Sequence, residues 1–168
     1  MGPWDVMSAH FIETNKPPPG LSSFSKIRLN WISSDQVLLV KAGETQQGLL
    51  WPLEEQGKLL AIKIPLSAGH YYLAENRQPI NYDRMLPDSG ILILKVDPNA
   101  VEGTGTVKVM DADPSSPGFK HATYSPDRRN RNVFIDKENN VAILTLRTTG
   151  KNVEVLVTTP EKASRHLK

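Results

Sequence analysis

The sequence predicts a mostly β protein: an antiparallel β-sandwich or distorted barrel of eight to ten strands, with one short helix near the amino end. Three observations predict this fold class. Beyond residue 35, short runs rich in Val, Ile and Leu alternate with turns rich in Gly, Pro, Asn and Asp. No helical repeat separates these runs. The 168 residues are 39% hydrophobic and 23% charged, which suffices for one substantial core.

The amino end is predicted to be irregular up to Gly20 and helical after it. Three consecutive prolines, Pro17 to Pro19, favour an extended chain. A helix of about three turns is then expected, because apolar residues recur every three to four positions. These residues are Leu21, Phe24, Ile27 and Trp31. We expect Ser22 or Ser23 to cap the helix through its side-chain oxygen, and Trp31 to face the core.

Nine runs show the strand pattern. They are Gln36–Lys41, Gln47–Leu53, Lys58–Leu66, His70–Asn76, Gly90–Asp97, Thr106–Met110, Asn132–Ile135, Val141–Arg147 and Val153–Thr159. Apolar alternation in Leu60–Leu66 and Val141–Leu146 predicts much of the core. We therefore divide the chain into an irregular segment with the helix (1–34), a β domain (35–160) and a tail (161–168), all within one folded unit.

Two connections, Arg77–Ser89 and Asp111–Arg131, are long for a compact β domain. Long ordered loops on a rigid sheet often bind ligands, but they also serve to cross between sheets or to cover an edge. The sequence leaves both interpretations open.

Composition excludes several classes of function. The formal net charge is only +2, so we expect neither nucleic acid nor a membrane as partner. Cysteine is absent, which removes disulfides, thiol nucleophiles and thiolate zinc sites. The first residues lack the basic segment and apolar run of a signal peptide, and the compartment is left open.

Motifs that carry chemistry are sparse. There is no G-x-S-x-G elbow and no phosphate-binding loop; Gly103-Thr104-Gly105 is interpreted as a hairpin turn. None of the four histidines is spaced from another as metal ligands on one strand or helix are, and we expect them to be solvated or at the edge of the core. They are His10, His70, His121 and His166.

Two charged groups have competing interpretations. The carboxylates of Asp97, Asp111 and Asp113 are typical of turns, with calcium binding as the alternative. The basic stretch Arg128–Arg131, preceded by Lys120, His121 and Tyr124, is interpreted as a solvated loop, with phosphate contact as the alternative.

The run Tyr71–Arg77 is the most distinctive in the chain. On a strand, Glu75 and Arg77 share one face with Leu73 and Tyr71. Two opposite charges on an apolar face predict a partly buried ion pair or a pair directed at a site. Arg offers a two-pronged grip to a carboxylate, here Glu75, Asp83 or that of a ligand.

Several segments together resemble the immune-inhibitor-A-like zinc metallopeptidases. Gly2 to Ser8 is similar to the family's W-D-[IL]-M segment, and "PGLSSFSKIRLNWI" is similar to its short helix. The densest similarity is "YYLAENRQPINYDRMLPDSGILILKVD", Tyr71–Asp97. The residues 107–159 are similar in a looser way. This chain departs from the family pattern at Asn30, where the family usually has Gly, and at Ile80-Asn81, which replaces the family's Gly before the aromatic at Tyr82.

The resemblance implies the carboxy-terminal part of a peptidase domain without its zinc-binding H-E-x-x-H segment, which in the family precedes W-D-x-M. It also implies an extracytoplasmic origin. The residues it nominates for binding are Trp4, Met7, Glu75, Arg77 and Asp83, and Met7 corresponds to the methionine that supports the metal site in the family. No residue of this chain is nominated as catalytic or as a metal ligand.

We therefore expect a catalytically incompetent β module with a structural or interaction role, whose partner is a peptide or protein. One alternative is a piece of an active zinc metallopeptidase whose H-E-x-x-H segment lies outside this chain. Another is a carbohydrate-binding sandwich, suggested by Trp4, Trp31 and Trp51. No cofactor is expected, since zinc would require an upstream segment. The oligomeric state is left open.

Overall fold

The computed structural model of the chain describes residues 1–8, 16–101 and 103–166. Two α-helices lie within them, α1 (Ser23–Arg28) and α2 (Pro160–His166). The strands are β1 (Val37–Leu39), β2 (Gln46–Leu50), β3 (Ala61–Pro65), β4 (Tyr71–Arg77), β5 (Gly90–Val96), β6 (Val107–Val109), β7 (Val133–Asp136), β8 (Val141–Thr149) and β9 (Asn152–Thr158). Each of the nine predicted runs contains one of these strands or most of it, which confirms the predicted fold class.

The strands of the described ranges form two stacked sheets rather than a closed barrel. The first sheet has the order β1-β3-β4-β5-β6 and the second has the order β2-β9-β8-β7. Neighbouring strands are antiparallel, except that β1 runs parallel to β3. The parallel pair arises because the chain leaves the first sheet after β1, forms β2 beside β9, and returns as β3.

The main core lies between the two sheets. Strand alternation places Ile62 and Ile64 of β3, with Tyr72 and Ala74 of β4, on its side of the first sheet. The second sheet contributes Val141, Ile143, Val153, Val155 and Val157. The predicted alternation in residues 60–66 and 141–146 thus supplies part of this core. A second apolar cluster lies on the other face of the first sheet, where Trp4 and α1 cover Leu73, Leu92 and Leu94.

The amino-terminal helix is shorter than predicted. It spans six residues and ends in a Schellman motif, in which Asn30 N–H donates to the Ile27 carbonyl and Trp31 N–H donates to the Lys26 carbonyl. Asn30 has a φ of 57°, the left-handed conformation that stops a helix. This turn carries Trp31 out of the apolar stripe, and its exposure is 65%. The prediction that Trp31 lies in the core is wrong.

The predicted tail contains a helix. Pro160 opens α2, and Lys162 N–H donates to Thr159 Oγ1 at 3.3 Å. Ala163 is fully buried against Ala142, Leu144 and Leu156 on the outer face of the second sheet. The sequence did contain a helix start signal, which is Pro160 directly after the capping residue Thr159. The helix shows no apolar periodicity, however, because Ala163 is its one buried residue.

Candidate functional site

Glu75 and Arg77 lie near the end of β4, on the face that Leu73 also occupies. The predicted face is confirmed, since Leu73 packs in the cluster under Trp4 while Tyr72 and Ala74 pack between the sheets. Both charged side chains have an exposure of 0%. They therefore form a fully buried pair rather than a partly buried one.

The guanidinium of Arg77 uses all five of its N–H donors within the chain. It binds the Asp83 carboxylate in a bidentate manner. Nε donates to Oδ2 at 2.7 Å, and Nη2 donates to Oδ1 at 2.7 Å. Nη1 donates to Glu75 Oε1 at 2.9 Å and to the Trp4 carbonyl at 2.7 Å. Nη2 also donates to the Gly20 carbonyl at 3.4 Å. The sequence left Glu75, Asp83 and a ligand carboxylate as possible partners of Arg77. In the structure Arg77 pairs with both Glu75 and Asp83.

Asp83 reaches this network from the connection between β4 and β5. The segment Asn81–Met85 is a short 3-10 helix, entered through Asn81 at a φ of 49°. This turn directs Asp83 inward, where Oδ1 also accepts from Gly20 N–H at 2.9 Å, while the adjacent Tyr82 is 68% exposed. Part of the predicted long loop is therefore a structural element that closes on β4.

Two buried carboxylates satisfy the first N–H groups of α1. Asp5 Oδ2 accepts from Ser22 N–H at 2.9 Å, and Glu75 Oε2 accepts from Ser23 N–H at 2.7 Å. The hydroxyl oxygens of both serines are buried and have no hydrogen-bond partner among the described residues. The predicted side-chain cap by Ser22 or Ser23 is wrong, because carboxylates distant in sequence take that role.

Burial and pairing act in opposite directions on the charges of this network. Burial raises the pKa of Glu75 above its ordinary value, and Arg77 and Ser23 N–H oppose that shift. For Arg77, burial lowers the pKa, but Glu75 and Asp83 outweigh it and hold the pKa above its ordinary value. Arg77 therefore stays charged and is the centre that compensates two acidic side chains.

The amino-terminal segment brings only one of its two nominated residues to the network. Trp4 is fully buried, its indole N–H donates to the Phe119 carbonyl at 2.8 Å, and its own carbonyl accepts from Arg77. Met7 is 76% exposed and lies outside the network. Trp4, Glu75, Arg77 and Asp83 thus converge, whereas Met7 does not.

A second ionic cluster, centred on Asp88, joins the two long connections. The Asp88 side chain is 4% exposed and contacts Arg128 at 2.6 Å and Arg131 at 3.2 Å. Thr123 Oγ1 also donates to Asp88 Oδ2 at 2.8 Å. Burial raises the pKa of Asp88, but the hydrogen bonds from Arg128, Thr123 and Ser89 outweigh it and hold the pKa below the ordinary value.

The Asp88 cluster changes the interpretation of the basic stretch. Arg128 and Arg131 are held by Asp88, so the prediction of a solvated loop is wrong for these two residues. Tyr124, upstream of them, is buried and pairs with Ile91 of β5 through backbone hydrogen bonds. The connection 111–131 therefore crosses from β6 to β7 while extending the edge of β5, which is the structural alternative.

The histidines and the turn carboxylates are the remaining candidates from the sequence. His70 Nε2 lies 3.2 Å from Asp97 Oδ1, and His121 and His166 are exposed. His10 lies outside the described residues. Asp111 Oδ1 accepts from Asp113 N–H at 3.0 Å, as in a turn. Residues 1–8, 16–101 and 103–166 contain no group of three or more side chains placed to hold a metal ion.

An open groove lies between α1 and the hairpin that joins β5 to β6. One part, of about 470 Å³, is lined by Met1, Asp5, Met7, Phe24, Ser25, Arg28, Gly103, Gly105, Thr106 and Val107. The adjoining part, of about 330 Å³, shares Phe24, Arg28 and Thr106 and adds Tyr71, Pro98 and Ala100. Sequence reasoning missed this groove, since its walls come from segments distant in the chain.

The chain shows no significant match to protein-family models, to curated proteins or to solved structures. In the part of the chain that the structure describes, no helix is long and apolar enough to cross a bilayer.

Proposed function

We propose that this chain is a non-catalytic β module with a protein- or peptide-interaction role, related to the carboxy-terminal part of the immune-inhibitor-A-like zinc metallopeptidase domain. The observation that carries the proposal is the buried network around Arg77. Three segments that resemble the family, around Trp4, around Gly20 and from Glu75 to Asp83, are hydrogen-bonded to one another in it. A shared ancestry would preserve such a set of residues together, because each depends on the others.

The two departures from the family pattern also support the relationship. Asn30 and Asn81 stand where the family has Gly, and their φ values are 57° and 49°. Asparagine is the residue, after glycine, that best tolerates this left-handed conformation. The departures therefore preserve the backbone at both turns.

The chemistry of the network favours a structural role over a catalytic one. A carboxylate that acts as general base needs an oxygen within reach of the substrate. Both oxygens of Glu75 and of Asp83 accept hydrogen bonds from the chain, and neither side chain is accessible. The carboxylates of Glu75 and Asp83 hold α1 and the amino-terminal segment against the first sheet. An interaction surface therefore lies outside this network.

Three measurements on the full chain test the proposal. Isothermal titration with Zn²⁺ is expected to show no tight stoichiometric binding, and a casein assay with added zinc is expected to show no cleavage that EDTA abolishes. A displayed peptide library is expected to yield sequences that bind with 1:1 stoichiometry when remade as synthetic peptides.

Each alternative has its own outcome. Stoichiometric zinc together with EDTA-sensitive cleavage would overturn the proposal in favour of a peptidase. Saturable binding on a glycan array, without peptide binding, would overturn it in favour of a carbohydrate-binding sandwich. Absence of any peptide that binds at millimolar concentration would remove the interaction role.

A further inference from the structure

The groove between α1 and the β5–β6 hairpin combines an apolar lining with accessible positive charge. Phe24, Tyr71 and Val107 are half-buried and line its walls, and the exposed Met7 also lines it. An apolar concave surface of this kind accepts a hydrophobic side chain, since contact removes apolar area from water on both partners.

Two cations lie over the aromatic rings of this groove. The Arg28 guanidinium is 5.4 Å from the centroid of the Phe24 ring, and Lys63 Nζ is 4.2 Å from that of Tyr71. Neither Arg28 nor Lys63 takes part in an ion pair among the described residues. Their positive charge therefore remains available to an incoming ligand.

Acidic groups of the described lining do not neutralise these cations. Asp5 is the one acidic residue among them, and its exposure is 3%. Its oxygens already accept hydrogen bonds from Met7, Ser22 and Ser25. Glu102, in the hairpin turn, lies outside the described residues. Arg28 is thus the exposed charged side chain of the described lining, and its cation favours an acidic ligand.

We propose that this groove binds an acidic peptide segment, which inserts a hydrophobic side chain between Phe24 and Val107 and places carboxylates beside Arg28 and Lys63. The proposal rests on the interaction role proposed above and names the class of partner. The ligand is a peptide because the two adjoining parts of the groove form an extended surface, with Arg28 in the lining of both parts and Lys63 next to the lining residue Tyr71.

The experiment uses the full chain labelled with ¹⁵N and a synthetic hexapeptide of glutamates around a central Phe-Leu pair. A second peptide of the same length, with lysine in place of glutamate, is the matched ligand control. We expect saturable amide shifts confined to residues around Phe24, Arg28 and Thr106, and an affinity that falls as salt is raised. The lysine peptide is expected to give no saturable shifts.

Variants with altered charge locate the contact. Arg28→Glu is expected to lower the affinity for the glutamate peptide about tenfold or more, and Lys63→Gln is expected to lower it to a smaller extent. Arg165→Glu is the control, because it makes the same change in net charge on α2, beyond the second sheet, where Arg165 is exposed. Unchanged thermal midpoints show that the variants fold.

The outcomes separate this inference from the proposed function. Equal binding by Arg28→Glu and Arg165→Glu, shifts elsewhere, or binding of the lysine peptide would overturn the groove as an acidic-peptide site. If library peptides then bind another surface, the interaction role still holds. Shifts at the groove that depend on protein concentration, without peptide, would replace the peptide by a second copy of the chain.

Discussion

Replacing Arg77 with methionine tests whether the buried network holds the amino-terminal segment on the sheet. Arg77→Met removes five donors and leaves Glu75 and Asp83 without a counter-charge at 0% and 1% exposure. Removing one member of a buried ion pair lowers the free energy of unfolding by about 3–5 kcal/mol. Since small domains are stable by about 5–15 kcal/mol in total, we expect Arg77→Met to lose much of its stability or to fail to fold at 37 °C.

The assay is urea unfolding followed by far-UV circular dichroism and tryptophan fluorescence. If Arg77→Met does not fold, Arg77→Lys is measured in its place. Lysine keeps the positive charge but has three N–H donors instead of five. We expect it to lose about 2–3 kcal/mol. The exposed Arg165→Met is the control and should stay within about 0.5 kcal/mol of the wild type.

The loss in Arg77→Met should also depend on pH. Carboxyl groups left buried without a cation have raised pKa values, so the folded state binds more protons than the unfolded state. The variant should therefore become more stable as the pH falls from 7 toward 5. A loss below about 1 kcal/mol at pH 7, independent of pH, would refute the reasoning that Arg77 compensates the two carboxylates.

Three further changes address other parts of the fold. Ser23→Ala should leave stability unchanged within about 0.5 kcal/mol or raise it, because the removed hydroxyl is buried and has no hydrogen-bond partner in the described part of the chain. Asp88→Asn should cost about 1–2 kcal/mol at pH 7, since it weakens the ion pairs with Arg128 and Arg131. Ala163→Asp should cost about 2 kcal/mol or more, because it places a carboxylate in the apolar contact between α2 and the second sheet. Urea unfolding measures all three.

Each of these has a contrary outcome. A loss of about 1 kcal/mol in Ser23→Ala would restore the side-chain cap as the explanation. The lowered pKa of Asp88 contributes stability above the pKa of the unfolded carboxyl, about 3.9, and this contribution is lost as the pH falls through the folded value. The loss of unfolding free energy in Asp88→Asn should therefore vanish at acid pH. A loss that does not change with pH would contradict the ion pairs of Asp88 as its cause. Equal midpoints for Ala163→Asp and the exposed Ser164→Asp would show that α2 does not dock.

The strands and their faces were predictable because strand periodicity is local. Alternation along β4 is enough to place Leu73, Glu75 and Arg77 together on one face. The identity of the residues that meet Arg77 was not predictable to the same degree. Trp4 and Gly20 contribute backbone carbonyls, which carry no sequence signal, and Asp83 reaches Arg77 only through the backbone of the following turn.

The errors share one physical cause, which is competition from distant groups. Serine before a helix predicts a side-chain cap, but Asp5 and Glu75 offer charged acceptors to the same N–H groups. Arginines in a loop predict solvation, but Asp88 lies about 40 residues away in sequence and pairs with them. Trp31 fits the helical period, and the left-handed Asn30 ends that period one residue earlier.

The pairing of β2 with β9 has a consequence for how the chain is made. Gln46 lies beside Val157, so the partner of β2 leaves the ribosome on the order of 100 residues later, after about 5–20 s at common rates of synthesis. During that interval β2 has an unpaired edge and the second sheet cannot assemble. A nascent chain of this protein therefore exposes β2 to aggregation until β9 emerges, and folding that depends on such non-local pairing is slow.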